Sequence, residues 1–242
     1  MIDTHAHLGD DAAEVVGRAR AAGVSRVIDI ATTVAGARLA LARTDELEGV
    51  FASLGIHPHE ADNDEDLDAL RELLAHPRAV AVGETGLDFF RDYADRDAQR
   101  RLFDAELALA TEVRKPVVIH TRAADDETLE RLLAHDGDVV LHCFSSQRLL
   151  EPALERRWYV SFAGNVTYKN AYDLRAAARR VPADRILAET DSPYLAPQGM
   201  RGRRNEPTFV METLGVLAQA RGIEATELER QIDENASRVF RL

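Results

Sequence analysis

Apolar residues recur along this chain in two alternating rhythms. Short runs dense in valine, isoleucine and leucine fall at Ile2–His5, Arg26–Ile30, Val50–Ile56, Ala79–Gly83, Pro116–Thr121, Val139–Cys143, Trp158–Phe162 and Arg185–Glu189. Runs of this length and β-branched content predict strands. Between them lie amphipathic stretches with helical spacing: Ala12–Ala22, Ala35–Arg43, Glu65–Ala75, Asp97–Arg114, Glu127–Ala134, Gln147–Glu155 and Asn170–Arg180. A longer helical tail, about Pro207–Arg238, follows the last strand. Eight strand-then-helix units predict an α/β fold, a TIM-type (β/α)8 barrel, with an open doubly wound sheet as the second architecture. Pro182 after the seventh helix and Pro116 at the start of the fifth strand agree with these boundaries. With no linker, low-complexity segment or fixed-period repeat, residues 1–242 read as one domain.

Charge narrows the partners. The formal net charge is −12 and the pI about 5.1, whereas a protein that coats nucleic acid by bulk electrostatics is usually basic. A polyanionic substrate would have to be held locally, by bound cations or by the one compact basic cluster, Arg201, Arg203 and Arg204. No apolar run approaches the ~18 residues of a membrane span, so no membrane partner is expected. The first residues lack the basic start and apolar stretch of a signal peptide. Cys143, the single cysteine, suits a reducing compartment. Together these predict a cytoplasmic location, and no obligate protein partner is evident.

The chemistry collects at predicted strand ends. His5 and His7 end or follow the first strand, His57 and His59 follow the third, His120 ends the fifth and His142 the sixth. Glu84 follows the fourth strand and Asp191 the eighth. In a parallel barrel all these ends share one face, where active sites are built. His5 and His7, two apart on a strand, point the same way and can reach one ion. The apolar run Ala79–Val82 delivers Glu84 to that face, where a carboxylate is costly without charged partners or a metal. Its two oxygens suit a bridge between two ions. Val117-Val118-Ile119-His120 and Val139-Val140-Leu141-His142 repeat one design, and imidazole is a common ligand of first-row metals. Asp191 combines two possible roles, metal ligand and acceptor of a proton from the attacking water. Glu189 either orients a ligand from behind or is a buried carboxylate satisfied by an arginine or a backbone group. His76 and His135 fall where helices end and are assigned a structural role at the helix dipole.

The motifs carrying these residues resemble the TatD family of metal-dependent deoxyribonucleases, within the amidohydrolase-like barrels. They run in order through Ile2–Leu8, Gly55-Ile56-His57-Pro58-His59, Gly83–Asp88, Ile119–Arg122, His142–Ser145, Glu189–Pro197 and Arg204-Asn205-Glu206-Pro207. The resemblance implies that His5, His7, Glu84 and Asp191 hold one divalent ion and Glu84, His120 and His142 a second, the metal being magnesium, manganese or zinc. It also implies removal of nucleotides from DNA 3′ ends, single-stranded ones being the expected substrate, with His57 at the position that contacts substrate phosphate. Arg122 and Arg204 are further candidate substrate contacts. Thr85, Phe89-Phe90 and Ser146 depart from the usual family pattern without removing a ligand. A lactonase, deacylase or amidase of the same barrel type is the alternative enzyme. Many of those bridge their metals with a carboxylated lysine, and this chain has only Lys115 and Lys169, neither well placed. A metal-binding scaffold without turnover is the alternative of another class.

Overall fold

A computed structural model describes residues 1–63, 66–91 and 93–242. Eight strands run Ile2–Ala6 (β1), Arg26–Ala31 (β2), Val50–Leu54 (β3), Ala79–Asp88 (β4), Val117–Arg122 (β5), Val139–Leu141 (β6), Tyr159–Phe162 (β7) and Ile186–Ala188 (β8). Each is parallel to the next, and their order in the sheet is their order in the chain. The sheet curls until β1 approaches β8. Thr4 Oγ1 donates to Ala188 O at 3.0 Å, and the segment just past β8 completes the seam. There the Asp191 N–H donates to His5 O (2.9 Å) and the His7 N–H to Ser192 O (2.8 Å), with a parallel bridge between Ala6 and Ser192. The result is a nearly closed TIM-type barrel rather than the open doubly wound sheet.

Helices cover the outside: Ala12–Ala21 (α1), Val34–Glu46 (α2), Leu67–Leu73 (α3), Arg96–Val113 (α4), Asp125–Leu133 (α5), Gln147–Glu155 (α6), Tyr172–Arg180 (α7), Val210–Arg221 (α8) and Ala225–Phe240 (α9). Sandwiched between interior and helices, the strands are buried on both faces, which explains their continuous apolar runs. Ile28, Leu54, Ile119 and Leu187 are wholly buried, each contributing roughly 1.5–3 kcal/mol by area. Local chemistry starts the helices. Asp66 caps α3 by accepting from the Asp68 and Ala69 N–H groups, and Asp95 caps α4 in the same way.

Several boundaries differ from expectation. The tail is two helices, because Gly222 adopts a left-handed φ of 68° and ends α8. The expected helix Glu65–Ala75 starts outside the described residues, and α3 ends at Leu73. The fourth strand does not stop at Gly83 but continues to Asp88, so Glu84 lies within it. Gly83 and Gly86 make that possible, with φ of 134° and 140°. A Cβ on Gly86 would lie 1.9 Å from His120 O, and one on Gly83 would lie 2.5 Å from Val118 O. Only glycine lets β4 lie this close to β5. His135 is buried just past the end of α5, and burial pushes its pKa down. No described helix is long and apolar enough to cross a membrane.

Candidate metal centre

Five of the eight strands deliver the predicted ligands to one spot. His5 lies in β1, Glu84 in β4 and His120 in β5, while His7, His142 and Asp191 sit just past the ends of their strands. The Glu84 carboxylate, almost wholly buried, lies at the middle. Its Oε2 faces His5 Nε2 at 3.5 Å and His7 Nε2 at 3.7 Å. Asp191 Oδ1 closes that group, 3.5 Å from His7 Nε2 and 3.9 Å from His5 Nε2. Its Oε1 faces a different set: His120 Nδ1 at 2.8 Å, His142 Nε2 at 2.9 Å and His57 Nε2 at 3.5 Å. One carboxylate thus divides five imidazoles between its two oxygens.

These donors fit metal ions. Two ligands about 2.0–2.2 Å from one tetrahedral ion lie about 3.4 Å apart, close to the separations around Glu84 Oε2. His5 is fully buried, and neither ring nitrogen has a hydrogen-bond partner. An imidazole so placed lacks the polar partner that buried groups ordinarily have. Close-set donor groups form at His5, His7 and Glu84, at His57, Glu84 and His120, and at His5, His142 and Glu189.

Electrostatics bind the cluster together. Burial pushes Glu84 upward, but the charges of His142 and His57 and hydrogen bonds from His120 and His142 outweigh it and hold the carboxyl well below its ordinary range. Asp191 behaves alike: burial raises its pKa, and the His7 hydrogen bond with the nearby imidazoles brings it down. Burial and the charge of His142 lower His5. Asp191 also has a left-handed backbone, φ 54°, in a region aspartate visits more readily than most residues.

The imidazoles are gripped from behind. Glu189 Oε1 lies 3.2 Å from His142 Nδ1 and accepts the Cys143 N–H at 2.7 Å. Asp88 plays the matching part for β5. Its Oδ2 lies 3.2 Å from His120 Nε2 and 2.9 Å from His59 Nε2, while Oδ1 accepts the Phe90 and Arg91 N–H groups. Sequence reasoning passed over Asp88, yet Glu84, Gly86 and Asp88 are two apart on one strand, a spacing that could have revealed a second carboxylate on the site face. It also missed Asp3 and Glu106. Asp3 accepts from the Thr190 N–H (2.9 Å) and hydroxyl (2.5 Å) and fastens the Asp191 segment to β1; burial pushes its pKa up to about 8. Glu106, on α4, accepts from the Ile56 N–H at 2.8 Å and the Thr85 hydroxyl at 2.5 Å.

Two departures from the family pattern gain local explanations here. Thr85 is the partner of Glu106. Ser146 caps α6 through the Leu149 N–H and donates to Asp125 at 2.6 Å. Of the predicted substrate contacts, His57 packs against His120, ring centroids 4.6 Å apart. Arg122 lies over the Phe90 ring at 3.9 Å. Arg204 is ion-paired with Asp11 beside a cleft that His7 also lines.

Known proteins resemble this chain from end to end. The chain is 35% identical over its whole length to the metal-dependent hydrolase YabD of Bacillus subtilis, covering 99% of that protein. It is 37% identical to the 3′-5′ ssDNA/RNA exonuclease TatD of Cronobacter sakazakii, over 98% of this chain and 94% of that one. The crystal structure of YJJV, a TatD homologue from Escherichia coli, superposes with a TM-score of 0.93 at 29% identity, covering 100% of this chain and 98% of its own. The sequence pattern described as TatD related DNase matches residues 2–241, and with that match the chain belongs to this family.

Proposed function

We propose that this protein is a divalent-metal-dependent hydrolase that removes nucleotides from the 3′ ends of single-stranded DNA. The observation that carries the reading is Glu84, whose two oxygens face two separate sets of imidazoles. In this reading His5, His7, Glu84 and Asp191 hold one ion, and Glu84, His120 and His142 hold the other, with magnesium, manganese or zinc as the metal. Two such ions supply Lewis-acid charge that acidifies a water molecule and offsets the negative charge building on a phosphodiester.

The chain's own groups do the rest. Asp191, kept ionised by its histidine neighbours, orients the attacking water and takes its proton. Glu189 fixes the ring of His142, and Asp88 that of His120, so each presents its other nitrogen to Glu84. His57, Arg122 and Arg204 offer donors to phosphate around the mouth. The likeness to an exonuclease of known polarity supports the substrate and the 3′ end. Lys115 speaks against the lactonase and amidase alternative. Its Nζ donates to Ala79 O at the first residue of β4, the opposite end of the barrel, so Glu84 rather than a modified lysine stands at the bridge.

The test is a 5′-labelled single-stranded oligonucleotide incubated with magnesium, manganese or zinc and sampled over time. A ladder shortening from the 3′ end is expected. Internal fragments appearing first would reject the exonuclease polarity, and an intact oligonucleotide beside rapid lactone or amide hydrolysis would reject the nuclease.

A further inference from the structure

Four aromatic side chains among the described residues are largely exposed: Phe90 (59%), Tyr93 (63%), Tyr172 (72%) and Tyr194 (62%). Aromatic rings are usually buried, and exposed ones scattered at random carry no message. These are not scattered. Phe90 and Tyr93 lie between β4 and α4, Tyr172 opens α7 after β7, and Tyr194 follows β8. Three therefore sit on loops after the C-terminal ends of strands and Tyr172 on the first turn of the helix that follows one, all toward the face that carries the histidines. The large exposed aliphatic residues, Leu39 and Leu133, lie instead on the outer helices α2 and α5.

Two of the rings touch the centre from opposite sides. Tyr93 stands edge-on to His59, centroids 4.8 Å apart and planes at 90°, next to His57 and His120. Tyr194 stands edge-on to His7, centroids 5.9 Å apart and planes at 73°. Despite these contacts both rings stay more than half exposed. On the Tyr93 side arginines join the aromatics: Arg122 covers Phe90 at 3.9 Å, and Arg91 lies 5.5 Å from the Phe90 centroid and 5.8 Å from that of Tyr93. Flat π-faces beside guanidinium groups are the chemistry that holds unstacked bases along a phosphate chain.

We infer that Tyr93 and Tyr194 are stacking platforms for unpaired nucleobases on either side of the metal centre, with Phe90 and Arg122 extending the platform on the Tyr93 side. The inference rests on the nuclease reading above and adds to it how the strand is held. Bases in a duplex already stack on their neighbours and offer no free face, so this rim selects single strands. Because a base of any identity has a π-face, it imposes little sequence preference.

The test compares the metal-loaded wild type with Tyr93→Ala, Tyr194→Ala and the corresponding phenylalanine variants on two probes. One is a 5′-fluorescein-labelled dodecathymidylate, and the other is the same strand with abasic residues at its three 3′-terminal positions. Both tyrosines are exposed, so alanine leaves the core untouched. Each alanine variant should lose about fivefold or more in kcat/KM on the thymidylate, and phenylalanine should restore it. The wild type should lose a similar factor on the abasic strand, where the alanine variants should lose little more. Alanine variants that cleave the thymidylate at the wild-type rate would overturn the proposal and leave the nuclease standing. So would equal losses on both probes, since the rings would then be contacting something other than a base. Wild-type protein that neither binds nor cleaves the thymidylate would overturn the nuclease and the proposal together.

Discussion

At the scale of single residues, the centre depends on which atom faces which neighbour. Asp191 has both a backbone and a side-chain demand on it, φ 54° and an ionised carboxylate against His7. Asparagine tolerates the left-handed region as aspartate does, so Asp191→Asn tests the carboxylate alone. It should keep the wild-type melting temperature and lose at least about 100-fold in kcat. Near-normal turnover between pH 6 and 9 would rule out its role as proton acceptor. Asp88 offers a subtler case. Asparagine there can still accept the Phe90 and Arg91 N–H groups through Oδ1, but it places an amide nitrogen where Oδ2 meets His120 and His59. Asp88→Asn should fold and weaken metal affinity about 10- to 100-fold, the usual effect of removing a carboxylate behind a ligating histidine. Chelator competition reads this directly, and unchanged affinity would show that Asp88 does not serve His120.

At the scale of elements, α4 reaches through the barrel wall to two strands at once. Glu106 joins the backbone just before His57 to the hydroxyl just after Glu84. Its partners are neutral, and burial pushes its pKa from 4.5 up to about 8. A folded-state pKa above the unfolded one means that the proton is bound more tightly in the native protein. The corresponding stability is fully present below the unfolded pKa and is lost as the pH rises through about 8. Glutamine keeps an acceptor for Ile56 and a polar contact for Thr85 without a titrating proton. Glu106→Gln should therefore flatten the fall in melting temperature between pH 5 and 8. Asp3, also raised to about 8, leaves the variant a residual slope of the same sign. Identical slopes in variant and wild type would refute the assignment.

At the scale of the whole molecule, an acidic protein must bind an anion. The net charge is −12, and several arginines are spent on carboxylates away from the centre: Arg18 on Glu206, Arg100 on Glu127 and Arg131 on Asp104. Only a local field around the centre then favours phosphate, and few phosphates are neutralised at once. Binding of a single strand should release counterions from roughly one to three phosphates, giving a slope of log affinity against log salt between about −0.7 and −2. Fluorescence anisotropy over a salt series measures it. A slope near −5 would indicate an extended basic track absent from this surface.

What could be read from the sequence, and what could not, follows from the range of the forces involved. Alternating apolar runs and amphipathic stretches are local signals, and they sufficed for eight strand-helix units in order. Because a parallel barrel turns every strand end to one face, they also bring His5, His7, Glu84, His120, His142 and Asp191 to one place. The tertiary structure alone decided the rest. That β4 runs on to Asp88 depends on a close approach of β5 to Gly83 and Gly86, which no local pattern encodes. That Glu84 turns one oxygen to His5 and His7 and the other to His120 and His142 is a matter of side-chain direction in three dimensions. Asp3 with Thr190, and Glu106 with Ile56 and Thr85, are partners far apart in sequence. A buried carboxylate reveals its partner only when the chain has closed around it, because burial is what makes the missing hydrogen bond costly.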